Sequence, residues 1–93
     1  MRIRRSHHLG LEEARNRANH IAETLGKQFS LTSSWQGDHL VVRGSGVNGY
    51  LLVEEDSLEI EVKLGFALKL MEAPLRAAIE NTIDEELAAD SAG

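Results

Sequence analysis

Ninety-three residues, 42% of them apolar and 27% charged, make one domain near the lower size limit for folding on a single core. There is no cysteine, which excludes a disulfide framework and a thiolate metal site or nucleophile and is compatible with a reducing compartment. The net charge of −5 is uneven: residues 1–46 carry seven Lys/Arg against four Asp/Glu, and residues 47–93 carry three against eleven. Such polarity suits head-to-tail association, a homodimer included, although an acidic helix is more simply a solvated face.

Residues 2–7, RIRRSH, look extended and lack helical periodicity. The start MRIRRSHHLG is basic but has no apolar segment behind it, so it does not read as a secretory signal. No run of about 18 apolar residues follows to span a membrane, and a cytoplasmic protein is expected. Leu11, Ala14, Ala18, Ile21, Ala22 and Leu25 then recur at spacings of three and four, within one arc of a helical wheel. Gly10 or the turn before it starts this helix. Glu12 and Glu13 sit where the helix dipole favours negative charge, and Glu13 precedes Arg17 by four residues. Gly26 near the end of the pattern predicts a helix over 11–27.

Four strand-like segments follow. Phe29, Leu31, Ser33 and Trp35 alternate with polar residues, Gly37-Asp38 is a hairpin signal, and Leu40 and Val42 alternate with His39, Val41 and Arg43. GSG at 44–46 breaks the chain, and Asn48-Gly49 is a second candidate turn, so two registers stay open there. YLLVEE resumes the pattern, EDS turns, and SLEIEVKL alternates most clearly, with Leu58, Ile60, Val62 and Leu64 on one side. Beyond Gly65 the period is helical again: Leu68, Met71, Leu75, Ala78, Ile79, Thr82, Ile83 and Leu87 form a stripe. Pro74 lacks an N–H and suits a first helical turn, which predicts a short bent segment over 66–72 and a main helix over 73–89. The folded core spans about residues 2–88, with a frayed tail at 90–93. The whole is an α+β two-layer sandwich: an antiparallel sheet of about five strands in β-α-β-β-β-β-α order, with an N-terminal helix and a long C-terminal helix packed on one face.

Candidate chemistry is sparse. His20 lies opposite the apolar arc with Glu13 two turns away, but a zinc site needs three or four ligands and no third is in place. His7 and His8 are neighbours in an extended segment and point to opposite faces. Glu54-Glu55-Asp56 and Asp84-Glu85-Glu86 lack the apolar surround that general acid work requires. GSGVNG has no following helix to bind phosphate, and the serines lack a nucleophile elbow. No enzyme activity, metal or cofactor is therefore expected. The basic arm Arg2, Arg4 and Arg5 could touch phosphates, but missing aromatic platforms and acidic surroundings argue against nucleic acid. In VKLGFALKLMEAPL, the core stripe leaves Phe66 and Leu70 near the other side, beside Lys63 and Lys69. Exposed apolar residues rimmed by lysines mark a partner surface; the plainer alternative folds Phe66 under the sheet edge as core.

IRRSHHLGLEEAR, the W-x-G-D hairpin at 35–38, the GV-x-G strand start at 46–49, IEVKLG at 60–65 and the terminal amphipathic helix occur in an order that resembles the polyhydroxyalkanoic acid system family, small proteins of polyester-storing bacteria. The resemblance covers about residues 2–88 and carries over no catalytic residue, because members are described by association and not by a reaction. It implies an accessory role at polyhydroxyalkanoate granules or their synthesis genes, and the lack of a catalytic constellation makes that role non-enzymatic in expectation, with the granule surface or granule-associated proteins as partners. The order of elements also resembles a shortened helix-grip domain, which raises an alternative: a carrier of acyl or hydroxyacid ligands held between sheet and C-terminal helix. About 90 residues leave little room for such a cavity once the core is filled.

Overall fold

The computed structural model describes residues 1–89. In chain order it comprises β1 (Arg2–Ser6), α1 (Leu11–Phe29), β2 (Thr32–Gln36), β3 (His39–Gly44), β4 (Val47–Val53), β5 (Ser57–Leu64), α2 (Phe66–Lys69) and α3 (Glu72–Ala89). The strands form one antiparallel sheet in the order β1-β5-β4-β3-β2. Period-two alternation decides which side of it meets the helices. One row across that side runs Ile3, Ile60, Leu51, Leu40 and Trp35, each opposite the next in register. The first four of these are buried.

The helix stripes close over that face. Ala14, Ala18, Ile21, Ala22 and Leu25 of α1 are buried, and α1 lies over β2, β3 and β4. Helix α3 packs beside α1, and its Ile79 and Ile83 join the same core. The expected α+β sandwich with both helices on one face is thus what forms. No helix among the described residues is long and apolar enough to cross a membrane. The tail expected to fray, 90–93, lies outside the described residues.

Several boundaries differ from the sequence reading. Helix α1 continues past Gly26 to Phe29 because its stop is Ser30, in the left-handed conformation at φ 57°. The N–H groups of Ser30 and Leu31 both donate to the Gly26 carbonyl, satisfying the end of the helix. Phe29 therefore ends a helix and does not begin a strand. Leu11, at the first position of α1, is 45% exposed, so the buried stripe begins at Ala14. Of the two candidate turns after β3, the chain uses Ser45-Gly46, with Gly46 at φ 77°. Asn48-Gly49 lies inside β4, where a Cβ on Gly49 would run into the Glu61 carbonyl oxygen of β5. That glycine permits close strand approach.

Candidate functional site

The corner between sheet and C-terminal helix is built by α2. The Gly65 N–H donates to the Gly46 carbonyl at 2.7 Å, which ties the end of β5 to the β3–β4 turn. One helical turn follows, held by bonds from Leu68 and Lys69 back to the Gly65 carbonyl. Met71 bonds to the Leu68 carbonyl, and Leu75 to that of Met71, as the chain swings into α3. Pro74 falls in the first turn of α3, where an N–H would have no helical partner.

This geometry turns Leu68 toward the sheet and leaves its neighbours outside. Phe66 is 91% exposed, Leu70 89% and Met71 53%. Burying a phenylalanine or leucine is worth about 1.5–3 kcal/mol each, so the corner carries several kcal/mol of unused transfer energy. The alternative that placed Phe66 in the core is overturned: the single turn of α2 points it away from the sheet. Met71, expected in the buried stripe, is also corrected to the exposed side, because α2 and α3 are separate helices and do not share one wheel. Lys69 is exposed on the same turn as Phe66 and Leu70. Lys63 is exposed at the end of β5, opposite Asn48 and on the open face of the sheet. Three of the four anticipated residues thus share α2 and its end, whereas Lys63 is corrected to the open face of the sheet, beside Asn48, Tyr50 and Glu61, because the alternation of β5 turns it away from the helices.

Behind the corner lies a partly open cavity of about 200 Å³, lined by the end of α1, strands β3 to β5, α2 and the first half of α3. It exists because α3 engages the core mainly through Ile79, Ile83 and Leu87, while Ala73, Pro74, Arg76 and Ala77 are exposed. Leu31, Val47, Leu64, Leu68 and Leu75 are only half-buried and form its rim. Ser45 is the only polar side chain among the described residues lining it. The sequence reading expected little room here and missed this space. Its signal was the Pro74 interruption, which prevents one continuous helix from sealing the end of the sheet.

Several histidines and arginines hold elements of the fold together. His7 is 6% exposed; its Nε2–H donates to the Glu54 carbonyl at 3.1 Å, and its Nδ1 accepts from the Leu9 N–H at 3.2 Å. Its backbone N–H also donates to the Asp56 carbonyl at 2.9 Å, so this residue locks the β1–α1 joint to the β4–β5 turn. His8 is exposed, as the opposite-face reading required. His20 is exposed with Nδ1 3.0 Å from Glu86 Oε1, and Arg17 reaches both Glu13 at 3.1 Å and Glu86 at 3.4 Å. These side chains join α1 to α3. No group of three or more metal-ligating side chains occurs among the described residues.

The basic arm is β1 itself. Arg2 pairs with Glu61 at 2.9 Å, and Arg5 with Asp84 at 2.8 Å and Glu80 at 3.2 Å, while Arg4 is exposed between them. The hydrogen bond and charge of Glu61 raise the Arg2 pKa, and those of Asp84, with Glu80 adding to them, raise that of Arg5. Much of the charge polarity in the sequence is therefore met within the molecule, basic β1 and α1 against acidic β5 and α3.

A model of the polyhydroxyalkanoic acid system protein family (PHA_gran_rgn) matches residues 1–87. The chain belongs to this family. No curated protein and no solved structure matches it. The matched span of this polyhydroxyalkanoic acid system protein takes in the histidine joint, the α2 corner and α3 as far as Leu87. Every candidate residue named above thus lies inside the family region.

Proposed function

We propose that this polyhydroxyalkanoic acid system protein is a non-enzymatic accessory protein that docks on the surface of cytoplasmic polyester granules through the α2 corner. The observation that carries this reading is the near-complete exposure of Phe66 and Leu70 on and beside one short helix, with Met71 adjoining. Adjacent exposed apolar side chains of this kind enter an apolar boundary, while the lysine head at 69 stays in water with its stem along it. Supporting a role without chemistry, His7 holds two backbone groups, and His20 and Glu86 face each other across two helices. The family links the protein to polyhydroxyalkanoate.

The test is localisation in polyester-accumulating cells. Fluorescently tagged protein is expected to outline the granules, and Phe66→Ser with Leu70→Ser is expected to leave it diffuse. A diffuse wild-type protein in granule-filled cells contradicts the proposal. Binding that vanishes once granules are stripped of their own proteins would replace the polymer surface with a granule protein as partner.

A further inference from the structure

The cavity behind α2 has a size and a chemistry that select a ligand. A cavity of 150 Å³ lined by Leu, Ile and Phe stays dry and admits benzene, with its six carbons. The space here is about 200 Å³, which on that scale holds an unbranched chain of roughly six to eight carbons. Its described lining is aliphatic apart from Phe29 and Ser45, with no cationic side chain to neutralise a carboxylate. A charged end group inside would be buried without a partner, at a cost that far exceeds the gain from the chain. A neutral alkyl group whose polar end remains at the rim meets neither obstacle. The rim residue Leu68 belongs to the same single turn that exposes Phe66, so cavity and docking corner share one element.

We infer that this cavity is a binding site for a neutral alkyl chain of roughly six to eight carbons carried on an ester, scaled from a cavity of known occupancy. The inference deepens the granule reading, and rests on it for its biological setting: the corner brings the protein to a polyester surface, and the cavity takes in one pendant chain. Docking on such a surface thereby becomes selective for side-chain length.

Purified full-length protein titrated with methyl esters of straight-chain acids from four to twelve carbons, read by methyl resonances of the Leu, Ile and Val residues, tests this directly. Affinity is expected to rise about fourfold per methylene and to level off near eight carbons, where the cavity is full. Sodium octanoate, whose carboxylate also stays in water at the rim, is expected to show the same dependence on chain length within its own series. Val47→Phe and, independently, Leu68→Trp fill the space from two different elements and should abolish the methyl shifts while the thermal transition persists. An affinity that keeps climbing beyond ten carbons, or no shift with any ester, overturns the inference. Phe66→Ser with Leu70→Ser separates it from the docking proposal, because that variant should lose granules yet keep methyl octanoate. Granule binding without ester binding defeats the cavity alone, and the reverse defeats the corner alone.

Discussion

Removing the His7 imidazole would leave the Leu9 N–H and the Glu54 carbonyl without their partners at the joint between strand and helix. Losing the buried imidazole together with both its hydrogen bonds costs about 1–3 kcal/mol, so His7→Ala is expected to lower urea stability by roughly 2 kcal/mol; a change within 0.5 kcal/mol would show the bonds to be dispensable. Gly49→Ala is expected to be destabilising as well, since its methyl would meet the Glu61 carbonyl of the neighbouring strand. A lowered denaturation midpoint checks it, and an unchanged one would mean that the two strands separate freely. The burial of His7 was open to sequence reading through its parity with Ile3, which shares its side of the strand. Adjacent histidines in an extended segment otherwise look alike, and only the buried one carries the hydrogen bonds. Phe66 and Leu70 were legible because they fell off the stripe. Their degree of exposure was not, since it depends on how far α2 stands from the sheet.

At the scale of elements, α3 is held at two places of different character. Ile79 and Ile83 anchor it in the core, and Arg5 of β1 grips Glu80 and Asp84 from the side. Arg5 is one-third exposed, so the ion pairs are worth about 1 kcal/mol or less. Arg5→Ala is therefore expected to speed amide exchange selectively in α3 around residues 80–84, leaving the β4–β5 pairing protected. Uniform acceleration across the sheet would contradict that division. The folded-state pKa of Arg5 is raised above its ordinary value by the hydrogen bond and charge of Asp84, with Glu80 adding to them. Its contribution is thus fully present below that value and is lost only as pH climbs through the higher one, which keeps the arginine side of the contact insensitive to pH near neutrality. Strand β5 was legible to the residue because its alternation is unbroken from Ser57 to Leu64. The end of α1 was misplaced because Gly26 looks like a stop, whereas Ser30 supplies the left-handed cap. Met71 was misassigned because the helical phase is lost between α2 and α3, and no single wheel spans that break.

For the molecule as a whole, the polarity of charge along the chain pointed outward to partners, yet much of it closes inward, β1 on β5 and α3 and α1 on α3. Pairings between residues about 60 to 80 positions apart are set by the fold and have no local signature. The large apolar side chains left most exposed are those of the α2 corner, Phe66 and Leu70. Phe66 and Leu70 make little contact with the rest of the protein, and replacing both with serine should leave the melting temperature essentially unchanged. The decisive measurement is co-sedimentation of purified protein with polyester granules stripped of their native proteins, wild type against the Phe66→Ser, Leu70→Ser variant. The wild type is expected to pellet with the granules, and the variant to bind at least about tenfold more weakly, from the transfer energy of two large apolar side chains. A wild type that stays in the supernatant, or a folded variant that pellets equally well, would contradict the docking of this protein through its α2 corner.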